Sequence, residues 1–177
     1  MASKKIAILG GSFNPVHYGH INLAKNVVAE GVADEVWLSL SPKNPFKDKS
    51  VLMPAPQRLK LMNDAVQGIP GVKVTDIELL LPEPSYTIDA LDKLTQLYPD
   101  NNFVLLIGSD NLEGFIKWKD WKKILERYGL IVYPRDTTSL EIPDSLKKFS
   151  NRIILLTDMP QYAISSTEIR SANKCSF

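Results

Sequence analysis

The chain contains one cysteine, Cys175, so no internal disulfide framework is open to it. A lone thiol suits a reducing compartment, and the expected location is the cytoplasm. Charge of either sign is not in excess: 21 Lys and Arg face 20 Asp and Glu, a formal net charge of +1. No bulk field therefore draws the chain to nucleic acid or to an acidic membrane surface. No apolar run is long enough to span a bilayer. Met1-Ala2-Ser3-Lys4-Lys5 runs straight into the first apolar segment, with no separate hydrophobic stretch of the signal-peptide kind. Internal repeats and low-complexity segments are absent. The early glycine turn lacks GxGxxG, which argues against an ordinary dinucleotide-binding dehydrogenase. What is present is a globular composition: 177 residues, 44% apolar and 23% charged. That is enough for one domain with a single core.

Histidine is the scarcest functional residue, and its placement is the most informative. The only two, His17 and His20, lie in Gly10-Gly11-Ser12-Phe13-Asn14-Pro15-Val16-His17-Tyr18-Gly19-His20. Lys4 to Leu9 ahead of it reads as a buried strand. Ile21, Leu23, Ala24, Val27 and Val28 after it have helical spacing. Both imidazoles thus fall on a glycine-rich turn from strand to helix, where open α/β sheets bind ligands. Bare glycine backbone admits an anion, and a helix N-terminus offers unpaired N–H groups. Two other readings compete: half of a metal site, for which a third and fourth ligand are wanting, or plain surface histidines.

Strand-like and helix-like segments alternate along the chain. Glu35–Leu40 reads as a second strand, and Ser41 to Pro54 as a loop. Pro56 opens a helix carrying Leu59, Leu61, Met62, Ala65 and Val66. Val72–Ile77 reads as a third strand, Pro82–Tyr86 as a loop and Thr87–Leu97 as a helix. Asn102–Ile107 is a fourth strand ending in Gly108-Ser109-Asp110, and Lys119–Arg127 reads as helical. Gly129–Tyr133 and Arg152–Leu156 supply a fifth and a sixth strand. Pro134 to Ser150 has only a weak pattern, and Ser165 opens a final helix. Repeated β-α-β predicts an α/β, Rossmann-like fold, a mostly parallel sheet with helices on both faces.

Four loops converge on one edge of such a sheet. They carry His17 and His20; Lys43, Lys47 and Lys49; Gly108-Ser109-Asp110; and Ile164-Ser165-Ser166-Thr167-Glu168-Ile169-Arg170. A glycine turn, cations and a hydroxyl-rich helix start suit a polyphosphate, with Arg170 able to bind it bidentately. Each loop also has a plainer account. Ser165 with Glu168 fits a capping box, Asp110 fits a local cap, lysines are commonly just solvated, and Trp118 and Trp121 fit a core.

Taken together the segments resemble a known family. Gly11 to His20 looks like the GxFxPxHxGH signature of the HIGH-type nucleotidyltransferases, and Ile164 to Arg170 like their ISSTxxR signature. Pro84-Ser85-Tyr86-Thr87, and Gly108-Ser109-Asp110 followed by Trp118, look like marks of the bacterial nicotinate-nucleotide adenylyltransferases. The resemblance implies a single nucleotidyltransferase domain over residues 1–177 that transfers AMP from ATP to nicotinate mononucleotide, giving deamido-NAD and pyrophosphate. By similarity, His17 and His20 contact ATP phosphates, and Arg170 and Ser166 hold the β- and γ-phosphates. Gly10, Gly11, Ser12 and Phe13 line the nucleotide, joined by Lys47, Gly108 and Ser165. Asp110 holds the adenosine ribose, Trp118 stacks on the pyridine ring and Thr87 helps bind its carboxylate.

Chemistry agrees with that assignment. The nucleophile is a phosphate oxygen with a second pKa of about 6, so no general base is needed. The work is alignment and charge neutralisation. Mg²⁺ is expected to ride on phosphates and water rather than in a protein cage. The chain departs from the family at Asn14, where Asp is usual, at Phe46, where His is common, and at Phe177, which comes soon after Arg170. The C-terminal helix region is thus expected to be shortened, and a homo-oligomer is compatible with the sequence. Rival readings are another acceptor, nicotinamide mononucleotide or phosphopantetheine, and a nucleotide-binding regulator without turnover. Phosphopantetheine adenylyltransferases usually carry Thr where this chain has His17, and cytidylyltransferases lack the PSYT and tryptophan marks.

Overall fold

Apolar runs with β-branched residues build the centre of the molecule. A computed structural model describes residues 2–42, 52–135, 140–161, 166 and 168–170. Among these, β1 (Lys5–Gly11), β2 (Glu35–Leu40), β3 (Val72–Thr75), β4 (Asn102–Gly108), β5 (Leu130–Tyr133) and β6 (Ile153–Leu155) form one sheet. The order is β3-β2-β1-β4-β5-β6, with every neighbouring pair parallel. The helices between strands are α1 (Tyr18–Ala29), α2 (Ala55–Val66), α3 (Thr87–Leu97) and α4 (Trp121–Arg127). This is the Rossmann-like α/β arrangement that the alternation predicts.

Strand side chains alternate between two cores, as the period of two requires. Ile6, Ile8, Leu105 and Ile107 face one cluster with Ile88, Leu91 and Leu94 of α3 and Ile124 and Leu125 of α4. Ala7, Leu9, Val104 and Leu106 face the other, with Leu23, Ala24 and Val27 of α1 and Met62 of α2. Both faces covered is the condition for a parallel sheet. The strand order reverses between β1 and β4, so their carboxyl ends flank the crevice where such sheets take ligands.

Several strand ends shift by one or two residues, and three segments differ more from the sequence reading. The third strand stops at Thr75; Ile77–Leu80 instead forms a 3-10 turn, and Thr75 Oγ1 accepts the Ile77 N–H at 3.3 Å. The helix expected from Lys119 begins at Trp121, because Asp120 stands in the left-handed region at φ 52°. The weakly patterned stretch ends in a 3-10 run, Asp144–Arg152, anchored by the buried Leu146, and this run takes Arg152 from the expected sixth strand.

Candidate active site

β1 delivers the chain to the crevice through Gly10, Gly11 and the buried Ser12. Phe13 follows at φ 42°, a costly conformation for a bulky residue. Burial of its ring holds it there, at 3% exposure. The ring lies edge-on to His20, with centroids 4.8 Å apart. It also lies beneath Gly11, where a Cβ would stand 3.4 Å from it. The Asn14–Pro15 peptide bond is cis.

The three-residue spacing of the histidines has a structural meaning that the sequence reading missed. His17 is the N-cap of α1 and His20 its third helical residue, and together they form a capping box. His17 Nδ1 accepts the Gly19 N–H at 3.1 Å, and His20 Nδ1 accepts the His17 N–H at 3.2 Å. Imidazole replaces the usual Ser/Thr and Glu/Gln, and two orphan donors of the helix start are satisfied. With Nδ1 as acceptor in each neutral ring, the proton sits on Nε2. The rings stack 3.7 Å apart, so both Nε2–H groups are set by the same short turn. Burial holds His17 below the usual histidine range; the Arg135 charge adds to this and Glu168 opposes it. The ring is therefore neutral at neutral pH.

The far end of the chain closes on this turn. Ser166 Oγ donates to the Pro15 carbonyl at 2.7 Å, and the Arg170 guanidinium donates to the Asn14 carbonyl. The two segments singled out in the sequence thus meet across about 150 residues, Ser166 and Pro15 being 151 apart. Lys47 and Ser165 lie outside the described residues.

Beside β1, β4 ends at Gly108, where a Cβ would collide with Asp110 Oδ1. Asp110 is exposed, with Arg135 Nη1 at 3.7 Å from Oδ2. Ser109 Oγ and the Arg135 main chain hold each other at 2.8 and 2.9 Å. Thr87 is the first residue of α3. Lys119 Nζ reaches Asp89 Oδ2 of that helix at 3.0 Å and lies 4.5 Å over the Tyr86 ring. This ties the half-buried Trp118, next to Lys119, to the α3 start. One side of Trp118 rests on Phe115, with ring centroids 5.2 Å apart. Trp121 packs on Phe149 instead.

Arg58 is the residue that sequence reasoning overlooked. It is 1% exposed and donates to four main-chain carbonyls: Ser12 at 2.7 Å, Met53 at 2.8 Å, Ser41 at 2.9 Å and Pro42 at 3.0 Å. Among the described residues no carboxylate pairs with it. Asn14 joins the same junction, its Oδ1 accepting the Met53 N–H at 3.0 Å. A signal existed: Arg58 precedes the wholly buried Met62 by four residues and so lies on the buried face of α2.

The site thus gathers imidazole, hydroxyl and guanidinium groups around a glycine turn at a helix start, chemistry suited to an anion. Among the described residues no group of three or more His, Cys, Asp or Glu is placed to hold a metal ion, and no helix is long and apolar enough to cross a membrane.

Known proteins resemble this chain in sequence and in fold. Residues 8–172 match the family model described as cytidylyltransferase-like. A Bacteroides fragilis protein named probable nicotinate-nucleotide adenylyltransferase is 41% identical over 97% of this chain and 83% of its own. A Cytophaga hutchinsonii protein of the same name is 40% identical over 96% and 86%. In fold, the chain is similar to the Plasmodium falciparum nicotinic acid mononucleotide adenylyltransferase complexed with NaAD, with TM-score 0.76 at 22% identity over 95% of this chain and 83% of that one. Likeness of this extent, from β1 to beyond the Ser166–Arg170 segment, makes the chain a member of the cytidylyltransferase-like family and, within it, of the nicotinate-nucleotide adenylyltransferases.

Proposed function

We propose that the chain transfers AMP from ATP to nicotinate mononucleotide as one nucleotidyltransferase domain over residues 1–177, in the cytoplasm. The observation that carries this is the meeting of Ser166 and Arg170 with the histidine-capped turn, which gathers donors from both ends of the chain around one anion-binding helix start. The mononucleotide phosphate oxygen attacks the α-phosphorus of ATP. A new P–O bond forms, the bond to the bridging oxygen breaks, and its electron pair leaves with pyrophosphate. The acceptor oxygen is already ionised near neutrality, so alignment and charge neutralisation are what the protein supplies.

In this reading His20 Nε2–H meets charge growing on the α-phosphate, with His17 Nε2–H beside it. Gly10, Gly11, Ser12 and Phe13 offer backbone to the nucleotide. Arg170 and Ser166 serve the β- and γ-phosphates, Asp110 serves the adenosine ribose, and Gly108, Lys47 and Ser165 join the nucleotide lining. Trp118 is the platform for the pyridine ring. Thr87 and the α3 N-terminus take its carboxylate, which a neutral amide could not exploit. The donor set, imidazole and guanidinium N–H, suits phosphate oxygens and not a cation. Mg²⁺ therefore fits as cargo of the triphosphate rather than as an ion caged by the protein.

The test is pyrophosphate release with ATP and each of nicotinate mononucleotide, nicotinamide mononucleotide and phosphopantetheine. Turnover should be fastest with the acid. Equal use of acid and amide would overturn the acceptor assignment, and no release with any acceptor would overturn adenylyl transfer.

A further inference from the structure

Glu78 has no place in the chemistry above, yet it touches three parts of the site. It lies in the 3-10 turn after β3. Its Oε1 is 3.3 Å from Ser39 Oγ and 3.3 Å from Ser41 Oγ, both at the carboxyl end of β2. Its Oε2 is 3.4 Å from Ser85 Oγ, two residues ahead of Thr87. Oε1 also comes within 4.0 Å of where a Cβ on Gly10 would stand. Ser41 in turn donates its N–H to the Gly11 carbonyl at 2.8 Å. One carboxyl group therefore connects the glycine turn, the end of β2 and the segment that leads into α3.

Stability alone explains this poorly. Among the described residues no Lys or Arg pairs with Glu78. Burial pushes its carboxyl above the usual range, and the three serine hydroxyls only partly oppose that. An apolar side chain would fill such a space without the desolvation cost. A group that holds three loop ends at fixed separations is different: it must be polar, short-armed and capable of several hydroxyl contacts, as a carboxyl group is.

We propose that Glu78 is a positioning residue for the acceptor, holding Ser85 and the start of α3 at a fixed distance from the glycine turn through its contacts with Ser39 and Ser41. This rests on the assignment of Thr87 and the α3 start to the acceptor. Glu78 touches no reacting atom; it sets where the acceptor's ring end sits relative to the α-phosphate. Misplacement on the scale of an ångström is costly in such alignments.

The experiment uses the full chain and three variants, Glu78→Ala, Glu78→Gln and Ser85→Ala, with KM measured separately for ATP and for nicotinate mononucleotide. Glu78→Ala should raise the acceptor KM about tenfold and leave the ATP KM within about twofold. Ser85→Ala should move the acceptor KM in the same direction, and Glu78→Gln, which keeps two hydrogen-bonding atoms, should restore most of the loss. If Glu78→Ala does not fold, Ser85→Ala carries the same split, with Glu78→Gln expected near the wild type. Parallel rises in both KM values, an unchanged acceptor KM, or a Gln variant no better than Ala would overturn the inference. Should the wild type prefer another mononucleotide, the acceptor assignment fails, while the same split read with that substrate still decides the role of Glu78.

Discussion

Buried charges at the two ends of the sheet are held on opposite electrostatic plans. At the amino end charges are matched with charges. Glu35, at the start of β2, meets Lys4 Nζ at 2.6 Å, Lys73 Nζ at 3.1 Å and Trp37 Nε1–H at 2.7 Å. Burial alone would raise its pKa, but bonds from Lys4, Trp37 and Lys73 outweigh this and hold it at about 2. Asp92 similarly takes Arg127 at 2.8 Å and the Tyr128 hydroxyl at 2.5 Å. At the carboxyl end the exposed pairs Asp110–Arg135 and Asp89–Lys119 stand at the rim, but the buried groups are held otherwise: among the described residues the Arg58 guanidinium meets carbonyls and no carboxylate, two histidines cap a helix, and Glu78 rests on serines. Pairing cations with carboxylates spends their field on each other. Fixing them with neutral groups keeps the field for a ligand. One end secures the fold, and the other preserves potential for binding.

The sharpest way to break this contrast is at His20. His20→Gln keeps a capping-box residue at the third helical position and removes the Nε2–H. Turnover should fall by roughly 10²–10³, with circular dichroism and Tm close to wild type. A well-folded variant retaining a third of the activity would remove His20 from the chemistry.

Trp118→Ala asks whether a residue that rests on the core also serves the site. Stacking contributes about 1–3 kcal/mol, so the acceptor KM should rise about tenfold with the ATP KM unmoved. A fall in Tm that weakens both substrates alike would reduce Trp118 to packing.

The smallest catalytic effect is expected at the amino end. Glu35→Gln should leave kcat and both KM values unchanged while costing about 2 kcal/mol, a Tm drop of about 5 °C at this chain length. Because the folded pKa lies below the ordinary 4.5, the stabilisation is complete above that value. It drains away as pH falls through about 2. The variant should therefore show less loss of Tm between pH 4.5 and 2 than the wild type. A pH-independent difference would contradict the ion-pair account.

Legibility in the sequence followed the range of the interactions. β1, β2 and β4 were readable as largely apolar runs, and α3 matched Thr87–Leu97 because Ile88, Leu91 and Leu94 repeat on one face. Local exceptions, such as the left-handed Asp120 that delays α4, leave no periodic trace. The histidine capping box was readable in principle, since capping residues sit three apart, but imidazole is not the usual chemistry for it. Arg58 and Glu78 were hidden for another reason. Their partners lie as many as 46 and 39 residues away, and nothing in a helix or a 3-10 turn announces which distant carbonyl or hydroxyl it will meet.

The closure of Ser166 and Arg170 on Pro15 and Asn14 also sets a timetable. During synthesis the residues that brace the histidine turn are made some 150 positions after it. Contacts of such long range form only after the intervening chain has been compacted. A nascent chain that has not yet reached those residues should carry the histidine turn without being an enzyme. Pyrophosphate release in a stalled-translation series should begin only once position 170 has emerged.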